Sequence, residues 1–165
     1  EVQGARRVPG RESGTGAQLL QQGYQLDQLG SGIQKLFAAL NLDVVLIDTD
    51  AGLNQETMLS IALADSLGVV LRLDKKDYQG TSLVLEIAKE LSVPRIMLIV
   101  NQAPNIYDLS EVKAKVSKAY QQDVAAVVPH YNELSILASD ALFSLRYPDH
   151  PLTKLFKQTA DQLIA

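Results

Sequence analysis

Four short, almost wholly apolar runs punctuate the chain, at 44–47 (VVLI), 67–71 (LGVVL), 96–100 (IMLIV) and 124–128 (VAAVV). None alternates apolar with polar, as a strand with one wet face would. Uninterrupted runs of this length suit strands buried on both faces. Between them, over 54–66, 79–92 and 109–121, apolar residues recur at three- and four-residue spacing, which predicts helices. The runs follow one another at about the 30-residue length of a βαβ unit. This alternation predicts an α/β fold, a mostly parallel sheet with helices on both faces and right-handed crossovers. Ahead of the first run, Leu26, Leu29, Ile33, Leu36, Phe37 and Leu40 predict an amphipathic helix over 28–40. A last helix is predicted over about 152–164, with Pro148 and Pro151 marking its start.

The 165 residues suit one α/β domain, with 1–23 a poorly defined Gly-, Arg- and Ser-rich segment in which Val2 to Pro9 read as a loop or short edge strand. Apolar residues make up 47%, enough for a sizeable core. Net charge is −4 and no block of like charges stands out, so a nucleic-acid-binding surface is not expected. The chain has no cysteine, which removes disulfides, thiolate metal sites and a Cys nucleophile, and fits a reducing cytoplasm. No apolar run approaches the roughly 20 residues needed to span a bilayer, and no signal peptide is visible. The first residue is Glu1 rather than Met, so the natural N-terminus is expected to lie upstream.

In an open parallel sheet, ligands bind beyond the carboxyl ends of the strands. The first run ends in Asp48-Thr49-Asp50-Ala51-Gly52 and the second in Arg72-Leu73-Asp74. The third ends in Asn101-Gln102 and the fourth in Pro129-His130. Different polar groups therefore collect along one rim. Loops are wet, so polar strand ends alone name no ligand; Asp48 and Asp50 also suit a turn or helix cap.

The stretch DVVLIDTDAGLNQETMLSIALADSLGVVLRLDKKDYQGTSLVLEIAKEL resembles the deviant-Walker ATPases of the MinD/ParA family, a SIMIBI class of P-loop NTPase. IMLIVNQAP resembles that family's strand ending in an adenine-contacting Asn, and VVPHYNELSILASDALFSLRYPDHPLTKLFKQTADQL resembles its C-terminal portion. The similarity covers about 24–164. It implies ATP and Mg²⁺ as cofactors and a Rossmann-like sheet. Asp48 would help hold Mg²⁺, usually through water, and Ala51 and Gly52 would sense the γ-phosphate. Asn101 would bond the adenine edge through an amide that offers donor and acceptor, with Gln102, Pro129 and His130 beside the base. Asp50 stands where the family usually has Pro; the nickel-insertion ATPases of carbon-monoxide dehydrogenase have an acid nearby. Tyr78 and the helix after it would sit near a dimer interface, although packing accounts for them as well.

A phosphate cradle is expected to lie elsewhere. A P-loop needs Gly-x-x-x-x-Gly-Lys-Ser/Thr, and the chain contains no Gly-Lys pair. GSGIQK (30–35) and SGTGAQ (13–18) are Gly-rich but lack the strand–turn–helix context. The chain therefore reads as the C-terminal part of a truncated P-loop NTPase, inactive by itself and a weak binder of ATP. Its missing first strand would leave a sheet edge exposed and prone to self-association. The parent would be an ATP-driven dimerising switch that positions division or partition machinery. It would act as a homodimer with a further protein partner, and peripheral membrane contact is open. Residues 151–165 are amphipathic, but the resemblance places them against the sheet. The alternative is a non-enzymatic regulatory or scaffold module that keeps the sheet without the cradle. A response-regulator-like domain fits poorly, because no Lys directly follows a late strand.

Overall fold

A computed structural model describes residues 26–165 apart from Ala51 and Ser139. The segment 2–9 and the Gly-rich 13–18 lie outside the described residues. The chain divides after Ile47 into two compact units.

In the first unit, helix α1 spans Leu26–Leu40. Its last turn closes where Asn41 takes a left-handed φ of 49° and the Leu42 amide donates to the Phe37 carbonyl at 3.2 Å. That satisfies an otherwise orphaned carbonyl. Ile33 and Phe37 are half-buried, whereas Leu36 and Leu40 are exposed. GSGIQK lies inside this helix, so its amides serve the helical ladder and not a phosphate cradle.

The expected first strand is not formed. Residues 44–47 have no ladder partner among the described residues, and Val44, Leu46 and Ile47 are 52%, 90% and 43% exposed. An apolar run demands burial, but a strand exists only where a neighbouring backbone supplies its hydrogen bonds. Sequence patterning reports the first and not the second.

In the second unit, the elements run α2 (Gln55–Leu63), β1 (Ser66–Leu71), α3 (Lys75–Glu90), β2 (Arg95–Ala103), α4 (Leu109–Tyr120) and β3 (Val124–Pro129). Two short helices follow, α5 (Asn132–Leu137) and α6 (Phe143–Arg146), then α7 (Pro151–Ile164). The sheet has the order β1-β2-β3, every pairing parallel, as expected from the sequence. Along β2, Leu98 and Val100 join a core with Ile61 of α2, Leu85 of α3 and Val112 of α4. Ile99 points the other way, toward Ala126, Val128, Phe143 and Leu152. Alternate residues of one strand thus feed two cores, so the sheet carries helices on both faces.

A bulge keeps β3 in phase with this division. Leu98 faces Val124, but Ile99 faces Ala126, so Ala125 is the extra residue. Past it, Ala126 again shares a face with Ile99 and Val127 with Val100, each pair in its own core. Without the extra residue, every later side chain of β3 would point to the wrong face.

Helix starts follow side-chain caps. Asp74 accepts from the amides of Lys76 and Asp77, both at 3.0 Å, so α3 begins a turn before its apolar periodicity does. At α7, His150 Nδ1 accepts from the Leu152 amide at 3.1 Å and Pro151 takes the first helical position.

Candidate functional site

The tips of the second unit hold two clusters of polar groups. The first surrounds the start of α2. Gly52 has a φ of +108°, which L side chains rarely adopt, so the turn between Asp50 and the helix depends on glycine. Asn54 then caps α2, its Oδ1 accepting from the Thr57 amide at 2.8 Å. Asp50 is therefore not the cap. Asp48, Thr49, Asp50, Glu56, Thr57 and Ser60 line a hollow of about 180 Å³ beside that cap. All three carboxylates are exposed. Thr57 Oγ1 is buried in the same wall and has no hydrogen-bond partner among the described residues. Ala51 lies outside the described residues.

This hollow fits a hydrated hard cation better than a naked one. Among the described residues, no three Asp, Glu or His side chains stand close enough together to enclose a metal. Mg²⁺ does not require such a cage, since it keeps several waters and uses one or two carboxylates together with substrate phosphates. Asp48, with Asp50 beside it, offers that donor set. Where bound, the ion would neutralise phosphate charge.

The second cluster joins the ends of β2 and β3. Between Val100 and Ala103 the register slips again, and here the extra residue belongs to β2. Gln102 occupies this bulge with a left-handed φ of 54°, and its amide donates to Asn101 Oδ1 at 2.9 Å. Ala103 pairs with Pro129, and the His130 amide donates to the Ala103 carbonyl at 2.9 Å. Asn105 Nδ2 donates to the His130 carbonyl at 3.2 Å. The structure thus brings Asn101, Gln102, Pro129 and His130 into one corner. Asn105 belongs to that corner too. Sequence reasoning passed it over, because its bond to His130 spans 25 residues. Asn101 is half-buried, and its Oδ1 accepts from the Gln102 amide. The hollow at Asp48 does not include this corner.

A third feature escaped the sequence. Helices α3 and α4 flank a mostly apolar hollow of about 590 Å³, lined in part by Lys75, Tyr78, Lys115 and Tyr120. Tyr120 Oη donates to the Tyr78 carbonyl at 3.1 Å, and the two rings lie 6.5 Å apart. Burial, then the neighbouring Tyr78, raises the Tyr120 hydroxyl above its ordinary value. The packing role weighed for Tyr78 is therefore present.

Comparison with known proteins adds one relative. The chain is 28% identical over 126 residues to an uncharacterized ATP-binding protein of Methanocaldococcus jannaschii, covering 74% of this chain and 47% of that protein. The chain thus spans about half the length of the curated relative it matches. No family model matches.

Proposed function

We propose that this chain is the C-terminal part of a MinD/ParA-like ATPase. In this reading the corner of Asn101, Gln102, Pro129 and His130 faces the adenine, and Asp48 faces hydrated Mg²⁺ and the phosphates. The observation that carries the reading is the parallel sheet in which Asn101, Gln102 and Asn105 at the end of β2 stand beside the Pro129-His130 end of β3. Ligands of such sheets bind at this end. Similarity to a protein named for ATP binding supports it.

The division of labour explains what the chain does by itself. The Asn101 amide, which offers both donor and acceptor, would bond the adenine edge, and backbone groups near Pro129 would lie beside the base. The Asp48 carboxylate would help hold the hydrated ion through water. None of these grips a triphosphate, because that takes a row of backbone amides and a lysine. In this reading the phosphate-gripping strand and loop belong to a part of the longer protein that these 165 residues do not contain. In the longer protein, nucleotide closes two subunits together and hydrolysis reopens them, the cycle of a positioning switch.

Two measurements test this. The coding sequence upstream of Glu1 should encode a Lys-Gly-Gly-x-Gly-Lys-type loop; its absence would leave the non-enzymatic module as the reading. Calorimetry of the 165-residue chain with Mg-ATP should register no tight binding; micromolar affinity without the loop would refute the division of labour.

A further inference from the structure

The corner at the ends of β2 and β3 holds polar groups suited to the edge of a base, but a base also has a face. Its flat π-surface is recognised by aromatic side chains, whatever the edge pattern. The next segment of chain beyond the corner is the turn from β2 to α4, Pro104-Asn105-Ile106-Tyr107. Two hydrogen bonds fix it. The Tyr107 amide donates to the Pro104 carbonyl at 3.1 Å, which closes a four-residue turn. Asn105 Nδ2 donates to the His130 carbonyl, which ties that turn to the end of β3.

Tyr107 thus stands two residues beyond a side chain already in the corner. Immediately after it Asp108 caps α4, its carboxylate accepting from the Ser110 amide at 2.8 Å and the Glu111 amide at 3.0 Å. The backbone is held on both sides, whereas the ring is not engaged. Tyr78, Tyr120, Tyr131 and Tyr147 each lie against another aromatic ring or an imidazole. Tyr107 pairs with no ring among the described residues and is 50% exposed, and Ile106 before it is 85% exposed. An aromatic and an aliphatic side chain are therefore presented to water beside the polar corner.

We propose that Tyr107 supplies the face: its ring stacks on the purine whose edge meets Asn101 and the Pro129-His130 backbone, and Ile106 adds apolar surface beside it. The inference rests on the reading of that corner as a base site and deepens it. The two roles divide. Stacking is tolerant of which base is present, because every base has a π-face. Tyr107 therefore sets how firmly a purine is held, and the polar edge sets which purine it is. A purine suits the site better than a pyrimidine, since its two fused rings cover more of the phenol. Only the β2–β3 end of the rim and the turn into α4 take part.

Proton NMR of the 165-residue chain titrated with AMP tests it. AMP carries the base without the triphosphate, so binding of about millimolar strength is expected from the corner alone. The two carbon-bound protons of the adenine should move upfield, because a stacked base lies in the ring current of the phenol. Tyr107→Ala should abolish that upfield movement and weaken AMP by roughly tenfold, the size of one base–aromatic stack. Tyr107→Phe keeps the ring and should preserve both. Shifts at the Asn101, Gln102 and His130 amides without upfield movement of the adenine, or an unchanged affinity in Tyr107→Ala, would overturn the stacking role and leave the corner as a base site. No shift at those three amides up to the solubility limit of AMP would overturn the base site and the stacking role together.

Discussion

Replacing Gln102 with glycine should make the protein more stable, even though glycine usually weakens a strand. Gln102 holds a φ of 54° at the bulge that ends β2. A left-handed conformation costs an L-residue roughly 1–2 kcal/mol. Glycine avoids that cost but has about 0.5–1 kcal/mol more backbone freedom to lose on folding. The Gln102 side chain is exposed, so its removal takes away no buried contact, and the bond to Asn101 Oδ1 comes from the backbone amide and survives the change. The difference leaves a net gain of about 0.5–1 kcal/mol. With a urea slope of roughly 1–3 kcal/mol per molar, the unfolding midpoint should rise by a few tenths molar with the slope unchanged. Gln102→Val, β-branched at the same φ, should lower it. A midpoint that falls in Gln102→Gly would show that the glutamine side chain makes a stabilising contact, and would refute the account of this bulge as locally strained.

Other substitutions probe the frame around the site. Leu98→Ala removes a side chain with no exposed area at the centre of the sheet, and should cost about 2–5 kcal/mol by thermal or urea unfolding. Asn54→Ala deletes the α2 cap at the edge of the Asp48 hollow and should cost about 1 kcal/mol; equal midpoints would mean that another group takes over the cap. A pH titration of stability reports Asp77 and Asp108. The Arg72 guanidinium hydrogen bond lowers Asp77 below the ordinary carboxylate range; the Ser110 hydroxyl and then the Glu111 and Ser110 amides lower Asp108. Both bind a proton more readily unfolded than folded. Their stabilisation is therefore complete above the ordinary carboxylate range and drains away as pH falls through the lowered folded values. Asp108→Asn should flatten that acid limb without steepening the neutral region.

The sequence was most legible where one signal answered one question. Apolar runs near 69, 98 and 126 located β1, β2 and β3, because a strand inside a parallel sheet must be apolar on both faces. Helical periodicity located α3, α4 and α7 to within a turn. The early start of α3 was hidden because Lys75, Lys76 and Asp77 form a polar first turn held by the Asp74 cap. Helices α5 and α6 were missed because six and four residues carry too little periodicity to register. The corner at Asn101 was half legible. Strand ends named Asn101, Gln102, Pro129 and His130, but only the pairing of Ala103 with Pro129 put them together and added Asn105.

The sequence by itself determined the α/β class, the parallel pairing of its strands and the polar character of their tips, since these follow from which residues water rejects. The tertiary structure alone decided that 44–47, as apolar as any of them, pairs with no strand among the described residues, that Ala125 and Gln102 are bulge residues, and that β2 lies between β1 and β3. Hydrophobicity is a property of a residue, whereas a strand, a bulge and an edge are relations between two backbones, and a single chain of letters does not state which backbone lies alongside which.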